Sequence, residues 1–315
     1  MEHQHLGESP PLVSVIMPNY NCLSYLPRAL KSIRLQRVQE IEILVVDDGS
    51  DDGSLEWLYQ GALEDPALRI FETARAGPAA ARNLALQEAR GRYVAFLDAD
   101  DSWLPGKLRA QLDFHESHPD FMFSFTNYQQ IDEAGELLGD GFSVWELFRK
   151  EAKSAHGFCS MRSPLPSLLM ENPVGASTVM ARRDMLISCG GFDESLPSAE
   201  DLDLWLRMAQ EGDVAFSTEE TTRYLVRACS ESTKLESRIQ ALRKINQRFV
   251  GAAEKLNPQI RSMTKARLAV ARAQQYRTEK RYRHALKQHV FALMHAPTRQ
   301  RFKAVMLDLL NSVAH

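Results

Sequence analysis

Three acidic clusters in this 315-residue chain have the residue types and spacing to do chemistry. In Asp98-Ala99-Asp100, the single intervening residue puts both carboxylates on the same side of an extended chain. Two hard oxygen ligands on one side suit Mg²⁺ or Mn²⁺, completed by waters and substrate phosphates. The competing reading is a helix start, because Asp100 and Asp101 precede a helical stretch and would then only cap it. In Asp47-Asp48-Gly49-Ser50, a carboxylate can accept from a base N–H or a ribose hydroxyl, or can form an Asx turn that caps the next helix. The third cluster, Glu200-Asp201-Leu202-Asp203, opens the amphipathic stretch LWLRMAQ. Acids there are ordinary helix caps, unless the turn Gly190-Gly191-Phe192-Asp193-Glu194 delivers that helix start to a cleft. Two further side chains belong with these acids. Tyr20 can stack on a base or sit half-buried in the core. Arg82, on the first turns of a helix, can fork to a phosphate or carboxylate, or form a surface salt bridge.

Other chemistries are absent from the pattern. There is no G-x-G-x-x-G after the first strand, no G-x-x-x-x-G-K-[ST] and no G-x-S-x-G. Cys22, Cys159, Cys189 and Cys229 are far apart, with no CxxC pair and no histidine at zinc spacing, so free thiols in a reducing cytosol are expected. His115 and His118 resemble a metal pair but lie before Pro119 at a helix end, where they are expected to be solvated.

The acids need strands to carry them. Residues 12–17 (LVSVIM), 41–46 (IEILVV), 68–73 and 92–97 (RYVAFL) read as continuous apolar runs. Helical stretches alternate with them, through Arg37, near 52–61 and near 77–90. That order predicts a parallel sheet covered on both faces. In such sheets ligands sit at the carboxyl ends of the strands, which is where Pro18-Asn19-Tyr20, Asp47-Asp48 and Asp98-Ala99-Asp100 fall. Further on, the pattern predicts a helix over 104–118, a strand over 121–128 and a long excursion at 132–174 with one short helix (143–150). It then predicts order at 175–181, helices over 182–189 and 200–211, a strand over 222–228, and helices from Leu235 broken at Pro258 and Pro297.

Taken together, SVIMPNYN (14–21), ILVVDDGSDDGS (43–54), GPAAARNLAL (77–86), GRYVAFLDADD (91–101), GGFDESL (190–196) and EDLDLWLRM (200–208) resemble family 2 of the GT-A glycosyltransferases. The resemblance spans about residues 12–230. It implies an α/β fold, a Rossmann-like mixed sheet, followed by an α-helical C-terminal region. It also implies inverting transfer from a nucleotide-sugar donor, expected to be a UDP-sugar, to a hydroxyl of a glycan or lipid-linked saccharide in polysaccharide or glycoconjugate biosynthesis. Carried over by residue, Pro18, Tyr20, Asp47, Arg82 and Asp98 would surround the nucleotide, Asp100 would hold Mg²⁺ or Mn²⁺, and Asp201 would be the general base. One departure stands at Tyr224-Leu225-Val226-Arg227-Ala228-Cys229-Ser230, where many relatives carry a metal-binding histidine. A nucleotidyltransferase of similar architecture and a non-catalytic sugar-nucleotide-binding relative are the alternatives.

The composition, 44% apolar and 25% charged, excludes a disordered, collagen-like or coiled-coil chain. Neither a signal peptide nor an apolar run of about 20 residues is visible, so a cytoplasmic protein is expected. The net charge of −3 hides an asymmetry: residues 238–315 hold 17 Lys and Arg against three acids. The domain reading is a flexible N-terminus (1–11), a catalytic domain (12–234) with nucleotide-binding (12–101) and acceptor (102–234) halves, and a basic helical region (235–315). That basic region packs on its neighbour, touches anionic phospholipid at the inner membrane face, or does both. No nucleic-acid partner is expected.

Overall fold

The structure, a computed structural model, describes residues 10–227 and 235–314. Residues 1–9 of the expected flexible N-terminus (1–11) and the segment 228–234, with Cys229 and Ser230, lie outside the described residues.

In chain order the elements are β1 (Val13–Asn19), α1 (Leu26–Arg34), β2 (Ile41–Asp47), α2 (Ser54–Glu64), β3 (Leu68–Glu72), α3 (Pro78–Glu88), β4 (Tyr93–Phe96) and β5 (Ser102–Trp103). They continue with α4 (Lys107–Ser117), β6 (Phe123–Ile131), β7 (Leu137–Asp140), α5 (Glu146–Ala152), β8 (Phe158–Ser160), α6 (Pro164–Met170), β9 (Met180–Arg182), α7 (Arg183–Ser188), α8 (Glu200–Glu211) and β10 (Val214–Leu225). Four helices close the chain: α9 (Leu235–Leu256), α10 (Ile260–Thr278), α11 (Tyr282–His295) and α12 (Arg299–Ala314).

These elements form two units. The first holds the described residues up to Met161 together with Val174–Phe192 and Glu211–Val226. The second holds Arg162–Pro173, Asp193–Gln210 and the described residues from Arg227 onward. Residues 162–173 and 193–210, read from the sequence as part of the acceptor half, group with the C-terminal helices.

The first unit is a mixed sheet in the order β3-β2-β1-β4-β9-β6-β10-β5, with β7 added to β6 and β8 to β10. β1 pairs in parallel with both β2 and β4, so the chain leaves β1 first to one side and later to the other. That switch opens a crevice at the carboxyl ends of β1 and β4. Buried Val13, Val15 and Met17 of β1 pack with Ile43, Val45, Ala95 and Leu97, and α1 closes one face with Leu26, Ala29 and Ile33. Burial on both faces accounts for the unbroken apolar strands.

Several elements depart from the sequence reading. β10 begins at Val214 rather than near 222, because Val214, Ala215 and Phe216 pair with Phe123, Ser124 and Phe125 of β6. Register shifts between Ser217 and Thr222 break its periodicity, which hid its first half. The excursion at 132–174 carries two sheet strands, β7 and β8. His115 is not solvated: it is fully buried, with Nε2 3.2 Å from the Met180 carbonyl and 2.9 Å from Ser124 Oγ.

In the second unit, alanines let helices approach closely: Ala266 and Ala269 of α10 cluster with Ala292 and Ala296. Beyond the breaks at Pro258 and Pro297, the helices part once more at Glu279–Arg281, where Lys280 takes a left-handed backbone (φ 57°) with neither Gly nor Pro to announce it.

Candidate active site

The end of β1 and the end of β2 are laced together. Asn19 Nδ2 donates to Asp47 Oδ2 at 2.6 Å, and Ser50 donates to both Asp47 oxygens, from N to Oδ1 at 2.9 Å and from Oγ to Oδ2 at 2.7 Å. Asp47 is buried. The next turn over is held the same way: Asn21 N donates to Ser50 Oγ, and Asn21 exchanges bonds with Asp51. Asp48 accepts from Thr73 Oγ1, Ala76 N and Gly77 N, tying the loop that leads into α3 to the end of β2. The DDGSDDGS acids therefore act first as brackets among three strand-to-helix turns, a role for Asp48, Asp51 and Asp52 that spacing alone does not disclose. On the rim, Pro18 is half-buried and Tyr20 is exposed, with the Arg75 guanidinium 5.1 Å from its ring centroid.

Arg82 sits on the first turns of α3 and is buried. Its Nη2 donates to Asp98 Oδ1 at 2.8 Å, and its guanidinium lies 5.5 Å from the Phe192 ring centroid. Of the roles open to Arg82 in the sequence, the structure shows the carboxylate partner. Phe192 is held by Asn83, which accepts from its N–H at 2.8 Å and donates to its carbonyl at 2.9 Å. Gly191 makes this possible: at φ +64° a Cβ would lie 2.7 Å from Asn83 Oδ1.

After β4 the chain turns through Asp98–Asp101, with Asp101 N donating to the Asp98 carbonyl at 3.0 Å. Burial alternates along this turn: Asp98 and Asp100 are half-buried, whereas Ala99 and Asp101 point inward. The Asp100 carbonyl accepts from Arg28 Nη2 at 2.7 Å. Asp101 does not cap a helix, because β5 follows it. Its Oδ2 accepts from Ser177 Oγ at 2.6 Å and its Oδ1 from Leu225 N at 3.0 Å. Burial, with the charges of Asp100 and Asp98 beside it, pushes the Asp101 carboxyl well above the usual carboxylate range. Ser177 also accepts from Asp98 N, and its carbonyl accepts from Trp103 Nε1. The sequence offered Asp101 only as a helix cap, and Ser177 did not stand out in it.

Asp98 and Asp100, both half-buried, supply the kind of hard carboxylate oxygen that a Mg²⁺ or Mn²⁺ ion shared with substrate phosphates would need. Among the described residues, no three His, Cys, Asp or Glu side chains converge as a closed metal site. An open site of two carboxylates fits a cation whose shell the substrate completes; an all-protein cage does not fit.

In the second unit, Asp201 is half-buried in the first turn of α8, its Oδ1 accepting from Leu202 N at 2.7 Å. Ala199, just before the helix, holds φ at +54°, a costly backbone for a residue with a Cβ. The neighbouring acid is structural: fully buried Asp203 accepts from Arg207 Nε at 2.9 Å and Arg248 Nη1 at 2.8 Å. Arg248 also reaches Asp193 at 2.6 Å. Burial opposes ionisation of Asp193, but bonds from Ser195 and Arg248 outweigh it and hold its carboxyl at about 2. Arg227 is half-buried at the edge of the described residues.

The model of the family described as Glycosyl transferase family 2 matches residues 14–159. A glycosyltransferase of Rickettsia felis is 35% identical over 202 residues, covering 64% of this chain but only 31% of its own length, so this chain spans about a third of that relative. TuaG of Bacillus subtilis, whose name places it in teichuronic acid biosynthesis, is 33% identical over 212 residues, 67% of this chain and 77% of the relative. Among solved structures, S. aureus TarS in complex with UDP-GlcNAc superposes with a TM-score of 0.63 at 20% identity, covering 95% of this chain and 88% of that one. That likeness shows the fold: a GT-A mixed sheet with a helical C-terminal segment.

Proposed function

The chain belongs to glycosyltransferase family 2, and we propose that it moves a sugar, with inversion, from a UDP-sugar to a hydroxyl of a glycan or lipid-linked saccharide in polysaccharide or glycoconjugate biosynthesis. The observation that carries this reading is the Asp98–Asp101 turn. Two half-buried carboxylates stand at the carboxyl end of β4, on a turn fixed from behind by Ser177. A cluster of acids that only stabilised the fold would bury all its members among donors, as Asp48 is buried among Thr73, Ala76 and Gly77.

In the proposed mechanism, Pro18, Tyr20 and Asp47 line the nucleotide's position and Asp98 meets its ribose. Arg82 holds Asp98 in one orientation, its Nη2 donating to Oδ1. Asp100 would hold Mg²⁺ or Mn²⁺, which would supply positive charge against the diphosphate. Asp201 accepts the acceptor hydroxyl proton as that oxygen bonds to the anomeric carbon and the bond to the diphosphate oxygen breaks. A single displacement of this kind inverts the anomeric centre. Arg227, standing where many relatives carry a histidine, cannot ligate a cation and instead offers charge to the diphosphate.

A panel of nucleotide sugars assayed for nucleoside diphosphate release tests the reading. Release from one or more UDP-sugars in the presence of Mg²⁺ or Mn²⁺, stimulated by a saccharide acceptor, supports it. Binding without release across the panel would instead support a non-catalytic relative.

A further inference from the structure

α12 is amphipathic in the inverted sense. Its inward side carries Asp308, which is fully buried and accepts from Arg277 Nε of α10 and pairs with His289 Nδ1 of α11, each at 2.5 Å. Arg277 Nη2 adds a bond to the Ala304 carbonyl at 3.0 Å. Its outward side carries Phe302, Met306 and Leu310 at successive turns, 55%, 43% and 67% exposed. A soluble helix normally places these the other way round. On α11, Met294 is 78% exposed and Val290 and Phe291 are exposed with it.

The charges around this apolar ridge are all of one sign. Arg283 and Lys287 of α11 and Arg299 and Lys303 of α12 are exposed on the same helix faces, and Asp308 is the only acid from Lys280 to the C-terminus. An apolar ridge interleaved with cations, and without acids, matches an anionic lipid–water interface, where side chains enter the acyl boundary and cations meet headgroups. The ridge fits self-association poorly. A twofold contact would bring the four cations against their own copies with no acid to neutralise them. No helix among the described residues is long and apolar enough to cross a membrane, so the fit is to a helix lying in the interface.

We infer that the exposed apolar and cationic sides of α11 and α12 dock on anionic phospholipid, entered by Phe302, Met306, Leu310 and Met294 and held by Arg283, Lys287, Arg299 and Lys303. The inference does not depend on the catalytic reading.

The test is flotation of the full chain with phosphatidylcholine vesicles, with and without phosphatidylglycerol, at low and high salt. Binding is expected to the anionic vesicles at low salt, to weaken at high salt and to be absent from neutral vesicles. Lys287→Gln with Arg299→Gln should lower partitioning by about 30-fold. Phe302→Ser with Leu310→Ser should abolish it without lowering the thermal unfolding temperature, because both side chains are exposed. Phe302→Trp, which keeps the ridge intact whatever the serine variant does, should show a blue-shifted emission on anionic vesicles. No binding to anionic vesicles, or an unshifted emission from the Phe302→Trp variant, would overturn the inference. So would a dimer in sedimentation equilibrium that the double serine variant dissolves, which would assign the face to a second copy.

Discussion

Ser177 Oγ stands 2.6 Å from Asp101 Oδ2 and 3.0 Å from Asp98 N, so one hydroxyl grips the acidic turn at both of its ends. Ser177 precedes β9, whereas the turn follows β4, and the two strands run antiparallel as neighbours. The turn that carries Asp98 and Asp100 is therefore fixed from a segment more than 70 residues away.

Removing that hydroxyl should loosen the turn. Ser177→Ala leaves a buried carboxyl and a backbone N–H short of a partner, at a cost of about 1–3 kcal/mol. Urea denaturation should show that loss, and the nucleotide-sugar KM should rise. Unchanged stability and KM would mean that Asp101 is held adequately by Leu225 N alone.

Acid should destabilise the fold through His115. Burial lowers its pKa to about 4, against 6.5 when exposed. Its Nε2–H faces the Met180 carbonyl, and Nδ1 is buried with no partner among the described residues, so a second proton has nowhere to bond. The unfolded chain thus binds a proton that the folded one refuses. Stability from this group is intact above about pH 7 and falls as pH drops from about 6.5 to about 4, by about 3 kcal/mol in all. Urea unfolding of wild type and His115→Gln across that range should show the slope reduced in the variant. Parallel pH profiles would contradict the assignment.

The first hundred residues are legible because strands buried on both faces must be apolar throughout, and because acids that end such strands need a reason to be there. The same logic fails at His115: a polar residue near the end of a helix that stops before Pro119 reads as surface, and nothing local reveals that Ser124 and Met180 come to meet it. It fails at Asp101, which shares its neighbours' residue type but faces the core, because direction follows from the turn. Val214–Phe216 are apolar enough for a strand, but the irregular register through Glu220 breaks the alternation that would have joined them to 222–225. Ser177 carries no local signal, since its partners are distant in sequence.

Asp100→Ala should weaken both metal and nucleoside diphosphate binding. The cation has too few protein oxygens left, and without it the Asp98 charge repels the diphosphate. Titration calorimetry with Mn²⁺ and UDP should show both affinities falling together. Full transfer activity in excess EDTA would contradict a metal role for Asp100 and shift attention to Arg82 and Arg227.

The central claim is that Asp201 takes the acceptor's proton while the other acids bind the donor. Steady-state kinetics of diphosphate release by wild type and Asp201→Asn, with the best donor and acceptor, test it most directly. The amide keeps the shape and the acceptor oxygen for Leu202 N but loses basicity. The expected result is a kcat lowered by about 10²–10⁴-fold with donor affinity unchanged. Near-normal turnover by Asp201→Asn would contradict it.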